Sequence, residues 1–164
     1  MTREQRELLA RWLIAVGALA LFASLFLTWS HQFSSSFLDR FGASEVLRGV
    51  PTDPTAWQVY SVADVLLALL ALALIAVAFA GGRQARIGAL VACVAALVFA
   101  LRALSDPPTN GANVFNPALS VPNLYPSGAS AGPGETLAIT ALLAAIAGLG
   151  LGLWLRPGAD SRIS

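Results

Sequence analysis

Val65-Leu66-Leu67-Ala68-Leu69-Leu70-Ala71-Leu72-Ala73-Leu74-Ile75-Ala76-Val77-Ala78-Phe79-Ala80 holds no polar side chain at all. A helix of a soluble bundle keeps one polar face toward water. This stretch has no such face, which argues against a soluble bundle. Counted from Tyr60, the run covers residues 60–80. At a rise of about 1.5 Å per residue it reaches across a hydrocarbon core of about 30 Å. Backbone groups in lipid must be satisfied within the segment, so the stretch is expected to be helical.

Three further stretches of similar length and character lie at about 8–29, 87–104 and 137–155. The whole chain agrees with them. It has 164 residues, 57% hydrophobic and 12% charged, with a mean hydropathy of +0.71. Soluble domains carry about 25% charge, roughly twice as much. Ten basic and nine acidic residues leave no basic field for nucleic acid. The single Cys93 excludes an intrachain disulfide framework. The sequence therefore predicts an all-α fold in one domain over residues 1–164. It is an integral membrane four-helix bundle with outer loops at about 30–52 and 105–134 and an inner turn at about 81–86. The first run is too long for a signal-peptide core and has no small-x-small site after it, so it is expected to be an uncleaved anchor.

All ten basic residues are arginines, and they divide unevenly. Arg3, Arg6, Arg11, Arg83, Arg86, Arg156 and Arg162 fall on one side, and Arg40, Arg48 and Arg102 on the other. The positive-inside rule then places both termini in the cytoplasm of a bacterial plasma membrane. Trp12 and Trp154 are expected at the inner interface, with Trp29 and Trp57 at the outer one.

Local signals mark the helix ends. Thr2 and Gln5 have the spacing of a capping box, and Glu7 and Arg11 that of a favourable (i, i+4) pair. Asp53 and Pro54 suit the start of the second helix, Gly81-Gly82 its end, and Pro157-Gly158 the end of the fourth. Phe37-Leu38 and Val46-Leu47 suggest a short interfacial helix. The second outer loop, with Pro107, Pro108, Pro117, Pro122, Pro126 and Pro133, reads as irregular or polyproline-like.

Apolar helices in lipid associate through small residues. Gly88, Ala92, Ala96 and Ala100 recur every four residues in the third span, as do Thr140, Ala144, Gly148 and Gly152 in the fourth. These are the expected faces of close approach. Asp64 and Arg102 are the ionisable groups within the spans, equally far from residue 83 on antiparallel helices. Matched depth suggests an intramembrane ion pair, although Arg102 lies about 200° around its helix from Ala100, off the small-residue face. Snorkelling and a proton or ion site are the alternatives. His31, Asp106 and Glu135 are the candidate polar site of the outer face.

Other chemistry is faint. Gly128-Ala129-Ser130-Ala131-Gly132 matches the string of a nucleophile elbow, but that motif needs a strand, a helix, a histidine and an acid around it. Gly148-Leu149-Gly150-Leu151-Gly152 lies within an apolar helix and reads as packing. One His and one Cys do not make a usual zinc site. No catalytic residue, metal or cofactor is expected.

Leu25-Phe26-Leu27-Thr28-Trp29, Thr55-Ala56-Trp57-Gln58-Val59-Tyr60-Ser61-Val62-Ala63-Asp64 and Leu101-Arg102-Ala103-Leu104-Ser105-Asp106-Pro107-Pro108 resemble uncharacterised tetraspanning membrane proteins of GC-rich actinobacteria. Their first helix often ends in Pro-Trp, where this chain has Thr28-Trp29. The resemblance implies the same topology and no activity. The leading expectation is a non-enzymatic membrane protein with a structural or accessory role, in contact with the lipid bilayer and with a membrane-protein partner or a second copy. The alternative is a small transporter, channel or sensor with a site at the outer helix ends around Asp64 and Arg102.

Overall fold

The computed structural model describes residues 2–41, 52–60, 62–106 and 129–154. Four long helices dominate it: α1 (Arg3–Ser24), α4 (Ala63–Ala80), α5 (Arg83–Ser105) and α6 (Pro133–Trp154). Each is long and apolar enough to cross a membrane, and together they fit a multi-pass membrane protein. Between them lie the short helices α2 (Ser35–Phe41) and α3 (Ala56–Val59), and strands β1 (Ser30–His31) and β2 (Ser130–Ala131).

The four long helices form a closed ring in the order α1, α4, α5, α6, each antiparallel to its neighbours. The tightest seam is α1 against α6, and the loosest is α4 against α5, joined by Gly81-Gly82. The turn is thus two residues, shorter than the expected 81–86, because α5 already starts at Arg83. One end of the bundle is this hairpin turn; the other is the loop end, where α2, α3, β1 and β2 gather. Large side chains such as Leu66, Leu69, Leu72, Phe79, Val91 and Leu143 point outward. Exposed leucine and phenylalanine around the whole barrel suit a hydrocarbon surround rather than water.

The α1–α6 seam is close because its residues are small. A Cβ on Gly17 would lie 2.7 Å from the Ala141 carbonyl oxygen, and one on Gly148 2.8 Å from that of Ala10. The buried stripe of α6 runs Gly134, Ala138, Ala141, Ala145, Gly148 and Gly152, with Ala144 half-buried beside it. Helix α5 differs from expectation. Gly88 and Ala92 lie toward the outside, Ala96 is half-buried and Ala100 is buried, and a Cβ on Gly88 would meet nothing within 4 Å. The inward line of α5 is Arg86, Cys93, Ala100 and Ala103. The four-residue repeat of small residues drifts around the 3.6-residue helix, so only one end of it can face the bundle.

The N-terminus folds as the spacing predicts. Thr2 and Gln5 make both hydrogen bonds of the capping box, and Arg11 donates to Glu7 at 3.1 Å. Helix α1 ends at Ser24, short of the predicted 29. The chain turns there, and the Trp29 indole Nε1 donates to the Ser24 carbonyl at 2.7 Å. That carbonyl lies beyond the helical ladder and otherwise accepts only from the Leu27 N–H of the turn, at 3.2 Å, so Trp29 caps α1 rather than extending it.

The second span also starts later than expected. Pro54 does not open α4, and Asp53 does not cap it. Thr55 and Gln58 instead start the single turn of α3, with Thr55 N–H donating to Gln58 Oε1 at 3.0 Å. Tyr60 is extended, and α4 begins at Ala63. Predicted elements at Val46-Leu47, in most of the proline-rich loop and at Pro157-Gly158 lie outside the described residues.

Candidate functional site at the loop end

The segment 28–32 is the middle of a three-segment lattice. On one side Trp29 N–H donates to the Pro54 carbonyl (2.9 Å), Gln32 N–H donates to that of Thr52 (3.0 Å), and Thr28 bridges Thr55. On the other side β1 pairs antiparallel with β2, and the N–H groups of Gly132 and Gly134 donate to the carbonyls of Trp29 and Thr28, both at 2.8 Å. Gly132 is required there: a Cβ would run into the Thr28 carbonyl. The predicted irregular loops are therefore tied together at their roots by backbone hydrogen bonds.

Trp29 is wholly buried at the centre of this corner. Its ring packs edge-on against Tyr60 at 5.8 Å, and Tyr60 packs edge-on against Phe99 of α5 at 5.1 Å. A Cβ on Gly134 would lie 2.5 Å from the indole. Trp29 is thus a core residue of the corner, whereas Trp12 and Trp154 are well exposed and Trp57 partly so. Trp57 lies against Phe26, which touches Phe22, so these three make an aromatic patch on the outside.

Asp64 and Arg102 do not meet; the side chains that do pair include Glu7 with Arg11 and His31 with Asp53. Asp64 is buried in the first turn of α4, and its Oδ1 accepts from the Val65 N–H at 2.8 Å. Arg102 is exposed in the last turn of α5. Each charge complements its own helix dipole, the acid at an N-terminus and the base at a C-terminus. That accounts for an acid and a base at matched depth without a bond between them. Asp64→Asn keeps an acceptor for the Val65 N–H. It is expected to shift the melting temperature in detergent by the same amount in the parent chain and in Arg102→Ala. A coupling above about 0.5 kcal/mol in that double-mutant cycle would restore the pair.

The expected outer-face group divides in two. His31 Nδ1 lies 2.5 Å from Asp53 Oδ1, on the β1 side. The β1–β2 register places Ser130 directly opposite His31, and opposite residues share a face of the ribbon. A serine, a histidine and an acid are thus neighbours, which the letters Gly128–Gly132 alone did not reveal. Ser130 makes no hydrogen bond to His31, and all three side chains are at least partly exposed.

Asp106 and Glu135 lie on the other side, around Tyr60. A recess of about 380 Å³ is lined by Tyr60, Phe99, Arg102, Ser105 and Asp106. The Tyr60 phenol is pushed up to about 12, first by burial and then by the charges of Glu135 and Asp106. Glu135, in the first turn of α6, is completely buried, and neither carboxylate oxygen has a hydrogen-bond partner. The sequence signal for this site was the presence of Glu135 among few acids; its burial could be found only from the packing.

No family model matches the chain, and no curated protein or solved structure shows detectable similarity to it.

Proposed function

We propose that this is a non-enzymatic tetraspanning protein of a bacterial plasma membrane, of the actinobacterial kind it resembles. Both termini lie in the cytoplasm, and its role is accessory, packing against a helix of another membrane protein. The arginine asymmetry supports the orientation. The observation that carries the role is an open apolar groove of about 420 Å³ between α4 and α5. Leu66 and Leu70 form one wall, and Ala92, Ala95 and Ala96 the other. Small residues three and four apart let a foreign backbone approach closely, as lipid-embedded helix pairs require. The α1–α6 side, by contrast, is already filled by its own partner.

A photo-crosslinking amino acid at Leu66 or Ala95 in native membranes is expected to give one discrete protein adduct. The same group at Leu143, on the outer face of α6, gives lipid products only. Adducts of the chain with itself would replace the partner by a second copy. Lipid products from all three positions, with a monodisperse monomer after purification, would overturn the accessory role.

A second reading, a small transporter, channel or sensor with its site at the outer helix ends, draws support from the recess beside Arg102, Tyr60 and Asp106.

A further inference from the structure

A carboxylate at the third position of a helix ordinarily accepts from nearby backbone N–H groups. Glu135 holds that position in α6 and has no such bond. The reason lies in its neighbours. Pro133 has no N–H, and those of Gly132 and Gly134 are spent on the carbonyls of Trp29 and Thr28. The Trp29 indole N–H is spent on the Ser24 carbonyl, and the Ser24 hydroxyl on that of Leu21. These donors are all directed at carbonyls, and the buried Gln32 Nε2 makes no hydrogen bond to Glu135 or to any other group. An ionised carboxylate buried without donors or a counter-charge is costly, so the site calls for one positive charge. A metal cation would need several ligands, and no group of three or more His, Cys, Asp or Glu side chains comes together among the described residues. A proton needs only the carboxylate itself.

We propose that Glu135 is a proton-binding carboxyl whose protonated state keeps the Trp29–Gly134 corner closed. Tyr60, packed edge-on against Trp29, lines the neighbouring recess with Asp106. Among the described residues, the other charged or titratable groups of this end include Asp64, held by the Val65 N–H, exposed Arg102, the His31–Asp53 pair beyond β1, and Asp39 and Arg40 on α2. The last turn of α1 contributes none. Glu135 itself does not line the partner groove between α4 and α5.

The test is dicyclohexylcarbodiimide, which attacks protonated carboxyls from apolar surroundings, applied to the full chain in liposomes and mapped by mass spectrometry. Glu135 is expected to be modified, with modification falling about tenfold for each pH unit above its midpoint, and equally in sodium and choline chloride. Trp fluorescence is expected to follow the same pH curve and to lose it in Glu135→Gln. Protection by sodium at constant pH would overturn the proton in favour of an alkali cation. Modification of Asp106 but not Glu135, or modification of Glu135 without pH dependence, would overturn the site altogether.

Discussion

A Gly148→Val variant is expected to melt far below the parent protein in detergent, while Gly88→Val melts with it. Both glycines belong to four-residue repeats of small residues and both sit inside apolar helices, so their sequence contexts are alike. Their surroundings are opposite. A Cβ on Gly148 would stand 2.8 Å from the Ala10 carbonyl oxygen and 2.9 Å from side-chain atoms of Leu13 and Ile14. The first of these is backbone and cannot swing aside, so α1 and α6 must separate along their tightest seam. Overpacking of that kind costs about 3 kcal/mol, roughly 6–12 °C for a chain of this length. A Cβ on Gly88 meets nothing within 4 Å. Equal melting temperatures for the two variants would show that α1 does not close on α6 at Gly148.

Trp29→Ala is expected to cost about 3–5 kcal/mol, the range for emptying a buried aromatic site. The loss has three parts. The indole fills the corner against Tyr60 and Gly134, it covers the end of α1, and its Nε1 satisfies the Ser24 carbonyl. Trp29→Phe keeps most of the volume and loses the hydrogen bond, about 1 kcal/mol. Trp12→Ala, at a residue 61% exposed, is expected to shift stability by less than about 0.5 kcal/mol. Thermal melting of the three variants checks the order. Trp29→Ala melting with Trp12→Ala would return Trp29 to the lipid interface, where the sequence alone placed it.

These two cases show what was legible before any coordinates. Hydropathy runs depend on local composition, and the four long helices appear where the runs predict them, with ends displaced by a few residues. The capping box at Thr2 and Gln5 and the Glu7–Arg11 pair are also local, each closed within one turn. The displaced ends are those where a distant group intervened: Trp29 folding back onto Ser24, or Asp53 bonding to His31 instead of opening a helix. The expected Asp64–Arg102 pairing rested on matched depth, with Arg102 already off the small-residue face of its helix. Depth follows from rise per residue, but the direction of a side chain around its helix depends on which seam the helix turns inward.

The sequence by itself determined that four apolar helices form and in which order they run up and down, because rise per residue and the need to satisfy backbone polar groups within an apolar stretch act segment by segment. Only the tertiary structure decided which small residues meet, that Ser130 faces His31, and that Glu135 is sealed without a donor. Those facts depend on the rotation of each helix about its axis and on the register of β1 against β2, and both are set by packing between segments about a hundred residues apart in the chain.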